Sequence, residues 1–175
     1  MFLTACAFMA VGAFVDPPHG FVRLCERSPA MCQRSGEVGR VILTPEKMEQ
    51  LKHTTKSVNE STTPATDLET HGEDEVWGLP VDGKGDCEDY ALLKQRVLVT
   101  LGWPSSALLL TVVMNDKGEG HAVLTVRADK GDFVLDNMND NVLLWDQVPY
   151  AFQSRQSYLN PTVWISVEDG CGITD

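Results

Sequence analysis

Hydrophobic residues in this 175-residue chain recur twice at helical spacing, then switch to short runs of strand length. The first helical stretch opens at Thr44-Pro45, with Thr44 as N-cap and proline at the first helical position, and runs to about Asn59. Met48, Leu51, Thr55 and Val58 fall on one of its faces. The second stretch follows the glycine-rich turn Asp82-Gly83-Lys84-Gly85. Asp86 takes the N-cap position, and Glu88 and Asp89 sit in the first turn, where carboxylates interact well with the helix dipole. Leu92, Leu93, Val97 and Leu98 make its apolar face, broadened by Tyr90, Val99 and Leu101, so a central, buried helix is predicted. Gly102 occupies the left-handed terminal place, and Pro104 forbids continuation. A shorter helix is predicted over residues 19–32, interrupted near Ser28-Pro29.

Strands are predicted at Ala107 to Met114, His121 to Ala128, Asp132 to Asn137, Val142 to Trp145 and Thr162 to Val167, separated by Gly- and Asn-rich turns. Residues 150–158 fit neither period cleanly. The polar stretch Glu60 to Glu75 predicts an extended surface connection. One helix followed by an antiparallel meander is an α+β arrangement.

Composition narrows the function classes. A formal net charge of −11 and no basic run disfavour a nucleic-acid partner, and converging carboxylates suit a hard cation. The first fifteen residues, MFLTACAFMAVGAFV, are nearly all apolar, too short to span a bilayer, and fit a secretory signal, with small residues up to Ala13 for cleavage. The organisation expected is a leader over residues 1–15 and one domain over residues 16–175, exported and not itself transmembrane. A lipobox reading of Leu3-Thr4-Ala5-Cys6 and a buried N-terminal helix are the alternatives. Of five cysteines, Cys6 would leave with the leader. Cys25 and Cys32, in "LCERSPAMC", are close enough to bridge, which would imply an oxidising compartment. Cys87 and Cys171 are left over.

Cys87 is the cysteine at a helix N-terminus, where unpaired N–H groups favour thiolate and are able to hold an oxyanion. His121 opens a strand just after a glycine turn, an exposed place, and Asp136 closes the next strand. Cysteine, histidine and acid are the ingredients of a thiol nucleophile, its base and the group that orients the base. Singly each has a bland reading: a tolerated small residue, a satisfied polar side chain, a turn acid. A simple turn at Lys130-Gly131 would set position 140 opposite position 121, which makes Asp140 the fallback partner of the histidine.

"GDCEDYALLKQRVLVTLGWP", "GHAVLTVR" and "FVLDN", with "LCERSPAMC" and "PATD" before them, resemble the bacterial transglutaminase-like cysteine proteinases, the family that includes the periplasmic LapG proteases. The resemblance spans roughly Cys25 to Val167. It implies a papain-like core with the nucleophile helix packed on an antiparallel sheet, a Cys87–His121–Asp136 triad, and peptide-bond hydrolysis through an acyl-enzyme. It also bears on the acids that flank the thiol. A charge about 6 Å from sulfur, at effective dielectric 20–80, raises the thiolate by about 0.7–3 kcal/mol. A bound cation would cancel that effect, and the resemblance implies a calcium site on Asp86, Glu88 and Asp89. Further implications are a protein substrate such as a cell-surface adhesin, a membrane cyclic-di-GMP receptor as partner, and a periplasmic location. Trp77 is a candidate wall of the cleft. Two rival readings share these residues: a transglutaminase-type acyl transferase, and a non-catalytic calcium-binding or interaction module.

Overall fold

A computed structural model describes residues 6–171. Strand β1 (Met9–Val15) precedes helix α1 (His19–Arg27), which ends at Ser28 as the proline there requires, and a 3-10 turn follows at Pro29–Cys32. Cys25 and Cys32 are disulfide-bonded across that break. By loop entropy a bridge this short contributes about 2–3 kcal/mol.

Helix α2 (Pro45–Ser61) starts as its sequence dictates, Thr44 accepting a hydrogen bond from the Lys47 N–H. The polar stretch after it is less extended than expected. It holds strand β2 (Thr63–Pro64) and a short helix α3 (Asp67–His71) with a Thr66/Glu69 capping box and left-handed Gly72 at its end. Strand β3 (Lys84–Gly85) pairs in parallel with β2 and leads into helix α4 (Cys87–Thr100).

Then come β4 (Leu108–Met114), β5 (Gly120–Ala128), β6 (Gly131–Leu135), β7 (Leu143–Leu144), β8 (Ala151–Gln156) and β9 (Trp164–Cys171). The seven-stranded sheet runs β1-β9-β8-β4-β5-β6-β7, with every neighbouring pair antiparallel. The predicted meander therefore holds only from β4 to β7. The ambiguous 150–158 stretch supplies β8, which crosses back to the free edge of β4.

Helix α4 lies against this sheet: Ala91, Leu92 and Leu98 share one core with Leu108, Leu110, Leu124 and Val126. Burying the five leucines among these, at about 1.5–3 kcal/mol each, is the main force holding the nucleophile helix on the strands. Leu101 does not join them; it is exposed past the helix end.

The apolar start assigned above to a leader is drawn into the sheet here, as β1 on β9, and residues 1–5 lie outside the described residues. Cys6, expected to leave with that leader, is bonded to Cys171, the thiol the sequence left without a partner. Below β1 the Asp132 carboxylate is fully buried and accepts from Arg40 (2.7 Å), Arg155 (3.5 Å) and the Met9 N–H (2.9 Å). Among the described residues no helix is long and apolar enough to cross a membrane.

Candidate active site

Cys87 is the first residue of α4, so its N–H has no partner within the helix. Its sulfur points toward β5, where the Ala122 N–H faces it, and its thiol donates to Glu88 Oε2 at 3.0 Å. Burial pushes the thiol well above its ordinary range, the Glu88 charge adds to that, and the Ala122 N–H works against both. Cys87 and His121 line one cleft of about 360 Å³, with Pro18, Glu75, Trp77 and Ser154 on its walls.

His121 is buried rather than exposed, and its Nε2 lies 2.9 Å from Asp136 Oδ1. Burial works to raise the Asp136 pKa, but hydrogen bonds from His121, Tyr150 and the Met138 N–H outweigh it and hold the carboxyl below its usual range. An ionised carboxylate only accepts, so the ring proton sits on Nε2 and Nδ1 is left as the basic nitrogen.

The hairpin explains which acid is used. Ala128 pairs with Gly131 and Leu124 with Leu135, so the ladder, extended, sets position 138 opposite His121. Asp136 is the diagonal neighbour of that place, within reach of a long side chain. Asp140 is not the partner; it accepts from Asn59 Nδ2 at 2.8 Å, and the same amide donates to the Asp136 carbonyl at 3.0 Å. Lys94, wholly buried on α4, is depressed by burial to about 8, while Asp136 and Asp140 pull it the other way.

The acids beside Cys87 form a second constellation. Carboxylate oxygens of Asp67, Asp86 and Glu88 all lie within 4.8 Å of one another. Asp86 stands at the N-cap by its backbone, yet its side chain makes no cap hydrogen bond; it turns toward the other acids, and its Oδ1 is buried without a partner. Asp67 Oδ1 is likewise buried and unpartnered. Burial, then the Glu88 charge, pushes Asp86 up to about 8; burial raises Glu88; burial and Asp86 push Asp89 up to about 7. Among the described residues none of these acids has an ion pair with Lys or Arg. Unsatisfied, mutually repelling oxygens of this kind fit a hard divalent cation such as calcium.

The same acids hold the cleft wall. Asp67 Oδ2 accepts from the Val76 N–H at 2.6 Å, and Asp89 Oδ1 from the Gly78 N–H at 3.1 Å. Trp77 between them is buried and meets Phe21 and Trp164 edge-on, so it is core and wall at once. Gly20 lets α1 close on this wall: a Cβ there would lie 2.4 Å from Trp77 Cδ1 and 2.6 Å from the Glu75 carbonyl.

The sequence profile of the bacterial transglutaminase-like cysteine proteinases, BTLCP, matches residues 11–171. The chain belongs to this family. Among solved structures it is similar to Legionella pneumophila LapG in the calcium-bound form, at 25% identity over 77% of this chain and 75% of that one, with a TM-score of 0.59. The EGTA-treated form of the same protein is 28% identical over 65% of this chain and 64% of LapG, with a TM-score of 0.54. No curated protein matches the chain closely enough to add to this. The chain is thus a transglutaminase-like cysteine protease, a hydrolase with an α+β core.

Two residues that the structure brings to this site, Asp67 and Tyr150, are not among those the sequence predicts. Asp67 lies where the sequence predicts a surface connection, although Thr66-x-x-Glu69 around it is a cap signal that marks an ordered helix start. Tyr150 fell in the ambiguous stretch; its hydroxyl donates to Asp136 Oδ2. Asp89, expected beside Asp86 and Glu88 as a cation ligand, stands outside the three-acid group and supports Gly78 instead.

Proposed function

We propose that the chain is a calcium-dependent thiol endopeptidase of the periplasm, acting through Cys87, His121 and Asp136. The observation that carries this reading is the Nε2–Asp136 hydrogen bond, which leaves Nδ1 free in the cleft that Cys87 opens into. Nδ1 takes the thiol proton, and sulfur adds to the scissile carbonyl carbon. The C–N bond then breaks, and the proton on Nδ1 passes to the leaving amine. A water gives its proton to Nδ1 and its oxygen to the thioester, which releases the new carboxylate and restores the thiol. The Cys87 N–H, unpaired at the helix start, stabilises the oxyanion. Asp136 holds the ring and its tautomer throughout.

Asp67, Asp86 and Glu88 would hold the cation, with Asp89 supporting the wall beside them. When bound, the ion offsets the negative field that these acids impose on the thiol. Glu88 is the acid that matters most, since its carboxylate competes with His121 for the thiol proton.

The substrate, in this proposal, is a protein at the cell surface such as an adhesin, and a membrane cyclic-di-GMP receptor controls access to the protease. Incubating the purified protein and Cys87→Ala with candidate surface proteins, with and without EGTA, tests the scheme. Cleavage is expected only from the unaltered protein without chelator; cleavage by Cys87→Ala overturns the assignment. Export is supported by two disulfides that suit an oxidising compartment. Cell fractionation should recover the protein with periplasmic markers, and retention in the cytoplasm would refute this part.

A further inference from the structure

Tyr150 precedes β8, the strand that leaves the meander and crosses to β4. That crossover delivers its side chain behind the histidine–acid pair. The hydroxyl donates to Asp136 Oδ2, while Oδ1 receives His121 Nε2 at 2.9 Å and the Met138 N–H at 3.1 Å. Its ring meets the His121 ring edge-on, with centroids 5.5 Å apart and planes at 64°. One side chain therefore touches both the acid and the base, and each by a different part of itself.

We propose that Tyr150 is the positioning residue of this triad: its hydroxyl locks the Asp136 carboxylate against rotation, and its ring sets the tilt of His121. The inference rests on the triad reading above. A carboxylate on a short side chain turns readily about its last bond. With only Oδ1 engaged, Asp136 swings between positions, and His121 loses the fixed acceptor that holds its proton on Nε2. With Oδ2 also engaged, a single orientation remains. The hydroxyl stays a donor across the working range, because burial and the neighbouring carboxylate both oppose its ionisation. Asn59 acts from the other side, holding the backbone carbonyl of the same residue. Asp136 is thus gripped at carboxylate and backbone by α2 and the start of β8, neither of which carries a triad member.

The test compares calcium-loaded wild type, Tyr150→Phe and Asp136→Asn. Phenylalanine keeps the ring contact and removes only the hydroxyl. Two measurements are made: the low-field proton signal of His121 Nε2 by NMR, and the rate of Cys87 alkylation by iodoacetamide at one fixed pH. Loss of one hydrogen bond to a charged group predicts alkylation about ten- to a hundredfold slower in Tyr150→Phe. The His121 signal should move upfield and broaden by exchange, with the thermal midpoint close to that of wild type. A wild-type rate and an unmoved signal in Tyr150→Phe, while Asp136→Asn is slow, would overturn the proposal alone. A wild-type rate in Asp136→Asn itself would overturn the triad reading and this inference with it.

Discussion

Asp67→Asn is expected to weaken calcium binding about 30- to 1000-fold and to reduce proteolysis accordingly at limiting calcium, with Cys87, His121 and Asp136 untouched. The size follows from charge: one elementary charge removed about 4 Å from a divalent ion, at effective dielectric 40–80, forfeits about 2–4 kcal/mol. The substitution is chosen because the two oxygens of Asp67 do different work. Oδ2 accepts from the Val76 N–H and holds the wall that carries Trp77, whereas Oδ1 is buried among the acids with no hydrogen-bond partner. Asparagine keeps an oxygen for Val76 and turns its NH₂ toward the cation position. Asp67→Ala loses both, so it should also alter Trp77 emission without any calcium, a change Asp67→Asn should not show. Calorimetric titration reads the affinity, and wild-type binding by Asp67→Asn would remove Asp67 from the ligand set.

Asp67 is invisible in the sequence while Cys87 is not, and the difference is one of range. Thr44-Pro45 and the α4 face are local signals: a cap, a fixed φ, and a stripe of leucines that needs any apolar partner. Such signals survive without knowledge of the fold. Asp67 acquires meaning only when β2 pairs with β3 and sets α3 beside the start of α4, a parallel contact between segments some twenty residues apart. The capping box at Thr66 was legible as a helix start but said nothing of what its Asp67 would face.

Asp86 shows the converse. Its position satisfies the N-cap rule, yet its side chain makes no cap hydrogen bond and instead brings a carboxylate oxygen within 4.8 Å of those of Asp67 and Glu88. The histidine–acid pair was legible in kind, and its register was not. A two-residue turn at Asp129-Lys130 differs by one place from a turn at Lys130-Gly131, and that shift moves the residue facing His121 from Asp140 to position 138. Only the diagonal reach of the imidazole then selects Asp136. The β8 crossover lay beyond local reading, since no residue in the 150–158 stretch announces that it will pair with β4 rather than β7.

The second large effect concerns the fold beneath the site. Asp132→Ala is expected to destabilise the protein by about 3–5 kcal/mol, the usual consequence of removing one partner from a buried ion pair. Asp132 has no exposure; its carboxylate serves Arg40 at 2.7 Å, Arg155 at 3.5 Å and the Met9 N–H at 2.9 Å. Arg155 belongs to β8 and Met9 to β1, so this one side chain gathers the start of β6, the returning strand and the strand laid on β9. Alanine leaves the Arg40 guanidinium, itself mostly buried, without its carboxylate, and leaves the Met9 N–H without an acceptor. For a domain of this length the loss corresponds to a thermal midpoint lower by about 6–20 °C. In urea it should appear as a lower midpoint at unchanged slope, since the surface exposed on unfolding is the same. Asp132 does not line the cleft, so the folded fraction at low temperature should alkylate at Cys87 as wild type does. Replacing Arg40 and Asp132 together by apolar residues of similar volume should return part of the lost stability, because the Arg40 charge then goes with its carboxylate while the Arg155 contact stays broken. A single Asp132→Ala that unfolds within 1 kcal/mol of wild type would mean that these guanidinium groups are held by other partners, and that the three strands are gathered by apolar packing alone.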